Sequence, residues 1–346
     1  MTSFLLTCGC SSDPSDTSQN SEKDTESETL STETSSETVI ETETEKGDDN
    51  VPRENPVLYQ IAPDKNMLLN CYVIKTATGK LIVIDGGGAG SDINSGYLYK
   101  KLQEISGEKE PVIEAWFLSH MHDDHVREFT LIGTNKRKKM TVNNVYFNFP
   151  SREFMNTSEG GKYAFLYDEL EQSYDRFMGK GEFAKTNAKT AFEGDVIDID
   201  GIKFEILMTV TDEEKETNIN DTSMIFRVTI EGQTILFLGD AYLFQSQRLI
   251  DKYGDDLKSD MVQMAHHGQN GVSKEAYEKI APTLCLWPIP IWVYQNAQGV
   301  YQTTEVRNWM AAMGVKYHLV AGVDLTQSLT FPVDFSTLEE FDIEPK

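Results

Sequence analysis

The most constraining feature of the chain is a cluster of three histidines and two aspartates within six residues, at positions 120–125 (HMHDDH). The cluster follows the apolar run 112–118, which predicts a buried strand that ends there. Neutral imidazole and carboxylate are preferred ligands of Zn²⁺ and similar divalent ions. His120 and His122 stand two apart on an extended segment and point the same way, whereas the last two residues leave the strand in another direction. The sequence therefore predicts a metal site, with a second set of donors available for a second ion.

The same cluster predicts the chemistry of the site. An ion held by three or four protein ligands keeps an open position for water and lowers the pKa of that water towards neutrality. Zn²⁺ fits these ligands, and Mn²⁺ would use the same nitrogen and oxygen atoms. We therefore expect one or two ions, Zn²⁺ or alternatively Mn²⁺, and hydrolysis by a metal-bound hydroxide.

From residue 57 onward, short apolar strands alternate with helical stretches. Apolar spacing predicts helices over 93–105, 163–178 and 243–253 and a strand over 142–149. Residues 288–292 are expected to form a loop. Two β-rich halves with helices between them predict an α/β fold, in which two mixed sheets lie face to face and helices cover the outer faces. This four-layer αββα sandwich is expected to span residues 51–346.

The first fifty residues differ in composition from the rest. Residues 11–50 contain thirteen acidic residues, two lysines and few apolar residues, so they carry a net charge of −11 and predict a disordered acidic tether. Residues 4–12 resemble the end of a bacterial lipoprotein signal, with lipidation expected at Cys10 and Cys8 as the second choice; an ordinary N-terminus is the alternative. We therefore interpret residues 1–10 as the remnant of a signal. The chain is expected to be secreted or anchored by this lipid alone to the extracellular face of a bacterial membrane.

Four motifs, in their order and spacing, are similar to those of the metallo-β-lactamase superfamily. The run 120–125 fits the H-x-H-x-D-H signature of that family, and DGGG at 85–88 resembles its early strand-Asp-Gly motif. GD at 239–240 resembles the bridging aspartate at a strand end, and HHG at 266–268 resembles the late histidine motif. The resemblance implies the fold described above and metal-dependent hydrolysis.

Each of these motifs has an expected role. Asp240, an anion at a strand end, is suited to lie between two cations, and Asp124 is suited to ligate an ion or to orient the attacking hydroxide. Asp85 is expected to support a ligand imidazole through a hydrogen bond or, alternatively, to stabilise the turn that follows it. The candidate metal ligands are His120, His122, Asp124, His125, Asp240, His266 and His267. The candidate catalytic residues are Asp124 and His267.

The adjacent residues His266 and His267 cannot both face one site if they continue a strand, because neighbours in a strand alternate faces. One is then expected to be a ligand. The other is expected to contact substrate, to donate a proton or to be packed. A histidine that the superfamily usually carries is also missing, since none stands between His125 and His266. A second ion would need other donors, drawn from Asp212, Asn220, Asp221, water or the adjacent histidine pair.

The run 220–223 (NDTS), taken with the later motifs, resembles a secreted group of the superfamily. That group contains hydrolase domains of DNA-uptake channel proteins and phosphorylcholine esterases of bacterial surfaces. Charge argues against tight nucleic-acid binding, because −14 of the chain's net −25 falls on residues 51–346 and repels a polyanion. The basic run 136–139 (KRKK) is either a solvated turn or a phosphate-attracting rim beside the site.

These observations favour a monomeric enzyme that hydrolyses a small or cell-surface phosphodiester or a related ester. A lactone, thioester or β-lactam hydrolase of the same fold is the first alternative. A tethered domain that binds a ligand without catalysis is the second.

Overall fold

The computed structural model describes residues 53–63, 68–88, 96–177, 188–210, 218–296, 299–322 and 326–341. The predicted signal remnant at 1–10 and the predicted tether at 11–50 lie outside these ranges, so both stay predictions. Within the described residues, no helix is both long enough and apolar enough to cross a membrane.

The first sheet is built from the following strands: β1 (Val57–Gln60), β2 (Cys71–Lys75), β3 (Leu81–Asp85), β4 (Val112–Leu118), β5 (Thr141–Val142), β6 (Val145–Phe147), β7 (Ala188–Thr190) and β15 (Gln327–Thr330). Their order is β15-β1-β2-β3-β4-β6-β7, with β5 paired to β4. Pairs from β15 to β3 are antiparallel, and those from β3 to β7 are parallel. Because β3 and β4 are parallel, their carboxyl ends bring Asp85 and the 120–125 cluster to the same edge.

The second sheet contains these strands: β8 (Val196–Ile199), β9 (Ile202–Met208), β10 (Ile225–Ile230), β11 (Gln233–Phe237), β12 (Met261–Gln263), β13 (Leu284–Trp287) and β14 (Tyr317–Val320). They follow one another in sequence order across the sheet. Pairs from β8 to β11 are antiparallel, and those from β11 to β14 are parallel. The carboxyl ends of β11 and β12 therefore bring Asp240 and His267 to one edge of this sheet.

The two sheets pack face to face through a shared apolar layer. Phe117 of β4 stacks on Phe204 of β9 with ring centroids 4.1 Å apart and planes 7° apart. Tyr72 of β2 meets Phe237 of β11 edge-on at 5.2 Å. All four rings are buried, and aromatic pairs of this kind contribute beyond the area that they bury.

Helices cover the outer face of each sheet. The described helices on the first sheet are α1 (Tyr97–Ser106), α2 (Asp123–Thr134), α3 (Arg152–Thr157) and α4 (Phe165–Phe177). Those described on the second sheet are α5 (Leu243–Tyr253), α6 (Lys274–Ile280), α7 (Ile291–Tyr294) and α8 (Thr303–Ala312). The predicted αββα arrangement of two mixed sheets is confirmed.

Three predicted elements differ from the structure. The strand predicted over 142–149 is divided into β5 and β6, which both pair with β4. The helix predicted over 93–105 is observed from Tyr97, and residues 93–95 lie outside the described part. The loop predicted over 288–292 includes the start of α7. Pro290 directly precedes the first helical residue, and its lack of an N–H costs no helical hydrogen bond there.

Glu128 on α2 is fully buried, and burial raises the pKa of its carboxyl from 4.5 to about 8. Between these values the folded chain holds a proton that the unfolded chain has released, so stability falls as pH rises from about 5 to about 8. The slope is at most about 1.4 kcal/mol per pH unit. Glu128→Gln removes the titration, and we expect its free energy of unfolding, measured by urea denaturation, to decline less over this range. Equal slopes in the two proteins would contradict this assignment.

Candidate metal centre

The candidate site lies where the carboxyl ends of β4, β11 and β12 meet. After β4 ends at Leu118, the chain passes through His120, and His122 occupies the residue before α2 in an extended conformation. Asp123 and Asp124 form the first turn of α2, where the positive end of the helix dipole favours acidic side chains. The motif therefore combines a strand end with a helix start, and this change of direction separates its donors.

Glycines let the chain segments approach closely around the site. A Cβ atom on Gly87 would lie 1.6 Å from the carbonyl carbon of Asp124, so only glycine fits beside the start of α2. Gly239 has a φ of +55°, and a Cβ there would lie 2.8 Å from Ser223 Oγ. The backbone N–H of Asp240 donates to that hydroxyl at 3.0 Å. Gly87 of the DGGG motif at 85–88 and Gly239 of the GD motif at 239–240 are thus required by packing.

A first donor set consists of His120, His122 and Asp240, whose candidate ligand atoms all lie within 4.8 Å of one another. His120 Nε2 is 3.1 Å from His122 Nδ1 and 3.9 Å from Asp240 Oδ2. These atoms converge from the β4 loop and from the end of β11.

A second donor set consists of Asp124, His125, Asp240 and His267, again within 4.8 Å. His125 Nε2 is 3.0 Å from Asp240 Oδ1, and His267 Nε2 is 3.0 Å from Asp124 Oδ2 and 3.6 Å from Asp240 Oδ2. Asp240 belongs to both sets. The bridging role that the sequence predicts for Asp240 is compatible with this position and stays a prediction.

The donors fit a divalent cation. His125 Nε2 and Asp240 Oδ1 are buried and lack a hydrogen-bond partner in the described part of the chain, although they lie 3.0 Å apart, as expected of two atoms that face a common ion. A buried polar atom without a partner is costly, so such a pair calls for a ligand. Imidazole nitrogen and carboxylate oxygen suit Zn²⁺, Mn²⁺ and iron alike. The chain therefore has a candidate metal centre, with two overlapping donor sets, whose metal is not fixed by its ligand types.

Three of these histidines are held by a partner on the ring nitrogen that faces away from the centre. His125 Nδ1 is 2.8 Å from Asp85 Oδ2, and His267 Nδ1 is 2.8 Å from the Pro288 carbonyl oxygen. His120 Nδ1 lies 3.1 Å from Ser119 Oγ. Partners of this kind fix the orientation and the tautomer of a ligand imidazole.

Asp85 lies where a supporting carboxylate was predicted. Besides His125, it accepts hydrogen bonds from Asn70 Nδ2 at 2.8 Å and from Ser119 N at 2.7 Å. Its φ of +53° also makes it part of the turn after β3. Both roles that the sequence left open for Asp85 are therefore compatible with its position.

The electrostatics suit a cation. Burial raises the pKa of the Asp240 and Asp124 carboxyls, but the neighbouring His125 and His267 outweigh it and hold both pKa values below their usual range. For His125 and His267 the balance is reversed. Burial lowers the pKa of each imidazole, but the carboxylates beside them, Asp240 foremost, outweigh burial, and both pKa values are raised. Burial and the charge of His125 lower the pKa of His120. Two ionised carboxylates therefore lie at the centre at neutral pH.

His266 and His267 do not continue a strand, contrary to the premise of the sequence argument. Both lie in a tight turn over Ala265–Gly268 with φ of +49° and +57°. His267 points into the second donor set. The ring of His266 packs on Tyr242 with centroids 4.9 Å apart, its Nδ1 is 3.3 Å from the Asn270 carbonyl oxygen, and it belongs to neither donor set. A ligand role for His266 stays a prediction without geometric support.

Two of the substitutes considered for the missing histidine, Asp221 and Asn220, belong to neither donor set. Asp221 Oδ1 accepts from the backbone N–H of Tyr242 at 3.1 Å, near the start of α5. Asn220 Oδ1 is buried without a hydrogen-bond partner among the described residues. Asp212 lies outside the described residues.

Three residues at the site were not anticipated from the sequence, and all belong to the segment between α3 and α4. Glu159 Oε1 is 3.1 Å from His122 Nε2, and the ring of Tyr163 lies 4.7 Å from that of His122. Lys162 donates to the Tyr163 hydroxyl at 2.6 Å. The pair Gly160-Gly161 signals a turn in the sequence, but nothing local connects that turn to a histidine 37 residues earlier.

The basic run 136–139 does not form a rim beside the site. It follows the carboxyl end of α2, about 18 Å along the helix from Asp123, and lies near the start of β4. Tyr99 donates to the Lys139 carbonyl oxygen at 2.8 Å, and Lys139 Nζ is 3.4 Å from Glu110 Oε1. The phosphate-rim interpretation is wrong because α2 carries the chain away from the metal centre.

Comparison with known proteins agrees with the motifs. A family model of the metallo-beta-lactamase superfamily matches residues 68–283. Competence protein ComA of Neisseria gonorrhoeae is 30% identical over 133 residues, which cover 38% of this chain and 18% of that protein. The chain thus spans less than a fifth of the length of this relative. The matched family region contains every motif from Asp85 to His267, and the resemblance inferred from the sequence is confirmed.

The solved structures to which the chain is similar are distant in sequence. YhfI of Bacillus subtilis, a metallo-beta-lactamase fold protein, is 12% identical with a TM-score of 0.46, and the match covers 79% of this chain and 99% of that one. CmlA of Streptomyces venezuelae, a diiron β-hydroxylase, is 12% identical with a TM-score of 0.45 and coverage of 81% and 55%.

Proposed function

The chain belongs to the metallo-beta-lactamase superfamily, whose members are generally metal-dependent hydrolases, and from this premise we propose that it hydrolyses a phosphodiester or a related ester. The observation that carries the proposal is the pair of donor sets that share Asp240. Two ions bound there would supply Lewis-acid stabilisation of both the attacking and the leaving oxygen of a displacement at phosphorus, and would lower the pKa of water.

Asp124 has the geometry of a residue that orients or deprotonates the attacking water. Its Oδ2 lies 3.0 Å from His267 Nε2, and its low pKa keeps it ionised at neutral pH. His267 is itself fixed through Nδ1 by the Pro288 carbonyl oxygen. The pair therefore presents an ionised carboxylate in a fixed orientation, as general base catalysis requires.

Lys162 supports an anionic substrate. It is exposed, and its positive charge lies near the Asp123 and Glu159 carboxylates. A cation at this side of the centre favours the approach of a phosphodiester over that of a neutral ester.

We expect Lys162→Met to lower kcat/KM for bis-p-nitrophenyl phosphate by about three- to tenfold, mainly through KM, because an exposed charge contributes modestly. The same variant should leave kcat/KM for the neutral p-nitrophenyl acetate within about twofold. Lys136→Met, in the basic run at the far end of α2, is the matched control. An equal loss in both lysine variants would contradict a local role for Lys162.

A substrate panel tests the proposal itself. The full chain is assayed with bis-p-nitrophenyl phosphate, a lactone, a thioester and a β-lactam, each with and without a chelator. Chelator-sensitive turnover of the phosphodiester alone supports the proposal. Turnover of another ester in its place would replace the substrate class, and no turnover of any substrate by the metal-loaded protein would favour a binding domain.

We further propose that the enzyme acts outside the cell as a monomer and does not bind nucleic acid tightly. The lipoprotein-like residues 4–12 and the net charge of −14 on residues 51–346 support this. ComA is a competence protein. Tight binding of DNA by this chain would contradict the last part of the proposal.

A further inference from the structure

We infer that Glu159 is a positioning residue, which holds the imidazole of His122 so that Nδ1 faces the first donor set. The inference rests on the metal-dependent function proposed above. His122 Nε2 is 3.1 Å from Glu159 Oε1, while His122 Nδ1 is 3.1 Å from His120 Nε2. A carboxylate that accepts a hydrogen bond from Nε2–H leaves the Nδ1 lone pair free for a metal ion.

The contact completes a pattern within the centre. His120, His125 and His267 each have a partner on one ring nitrogen, and the other nitrogen faces the shared Asp240. His122 fits the same pattern only if Glu159 is counted as its partner. In contrast to the Asp85 side chain, which is 1% exposed, that of Glu159 is 36% exposed. His122 is therefore supported by a surface turn, whereas His125 is supported from the buried core.

The backbone of this turn aims Glu159 back at the site. Glu159, Gly160 and Gly161 have φ values of +49°, +68° and +72°, a run of left-handed residues that is uncommon where a side chain is present. A Cβ on Gly161 would lie 2.8 Å from the Asn156 carbonyl oxygen, so glycine is required there. Such a conformation persists only where the surroundings fix it. The ring of Tyr163, from the same segment, contacts His122 at 4.7 Å and holds the imidazole from a second direction.

The consequence is specific to one donor set. Without Glu159, the His122 ring is free to turn or to change tautomer, and the first donor set weakens. The second set contains neither His122 nor any residue that Glu159 contacts through a hydrogen bond. Loss of a supporting partner typically lowers metal affinity by about 10- to 100-fold.

Stepwise Zn²⁺ affinity of the full chain, measured by competition with a chromophoric chelator, tests the inference. Glu159→Ala should weaken one of two binding steps by about 10- to 100-fold and leave the other within about threefold. Glu159→Gln retains an acceptor oxygen and should recover most of the loss. Glu153→Gln, on α3, is the matched control, and His122→Gln marks which step belongs to the first donor set.

Wild-type affinities for both steps in Glu159→Ala would overturn the inference and leave the proposed function intact. Equal weakening in the Ala and Gln variants would also overturn it, because the acceptor oxygen that Gln retains would then not be what holds His122. Weakening of both steps together would mean a general loss of structure, not positioning. If the unmodified chain binds no Zn²⁺, the proposed function and the inference fail together.

Discussion

Asp240→Asn will lower kcat/KM for bis-p-nitrophenyl phosphate by at least about 1000-fold, or about 4 kcal/mol of transition-state stabilisation. The reason is that Asp240 alone belongs to both donor sets, with Oδ1 3.0 Å from His125 Nε2 and Oδ2 3.9 Å from His120 Nε2. An amide keeps the shape of the side chain but loses the charge that two cations would share. Both metal equivalents should therefore be weakened together.

Asp251→Asn is the matched control, because it removes one negative charge from an exposed residue of α5. Steady-state kinetics and elemental analysis of both variants provide the comparison. If Asp240→Asn retains both metals and more than about a tenth of the activity, Asp240 is not the shared ligand.

His267→Ala is expected to lower kcat by about 100- to 1000-fold and to remove one metal equivalent, whereas His266→Ala should keep both metals and stay within about tenfold of wild-type activity. The two residues are neighbours, but only His267 is buried and lies 3.0 Å from Asp124 Oδ2. His266 instead packs on Tyr242. Each variant is thus the control for the other.

The measurement is kcat with metal content for both proteins at saturating substrate. Loss of a metal equivalent in His266→Ala with retention in His267→Ala would reverse the assignment. It would also mean that the turn Ala265–Gly268 adopts another conformation when metal is bound.

Local patterns made much of this molecule predictable. The apolar run of β4 followed by HMHDDH predicts a strand that ends in a metal motif. This prediction is possible because the residue types and their alternation along the strand can both be seen within a few neighbouring residues. The helix predicted over 243–253 matches α5, whose apolar spacing is regular. The proximity of Asp85 to the cluster follows from the parallel pairing of β3 and β4, which places their carboxyl ends together.

Contacts that depend on the path of a loop were not predictable. Glu159 reaches His122 only through a left-handed turn, and the spacing of apolar residues in the sequence does not indicate the path of such a turn. The choice between His266 and His267 required the backbone of their turn, since strand alternation does not apply to positive φ. The phosphate-rim alternative for the run 136–139 fails because proximity in sequence to the cluster does not reveal that a 12-residue helix separates the two in space.

Elemental analysis of the full chain, purified after growth with zinc and manganese, tests the central claim most directly. Two overlapping donor sets with a shared carboxylate predict about two metal equivalents per chain. One equivalent or fewer after such supplementation would contradict a centre in which Asp240 serves two ions.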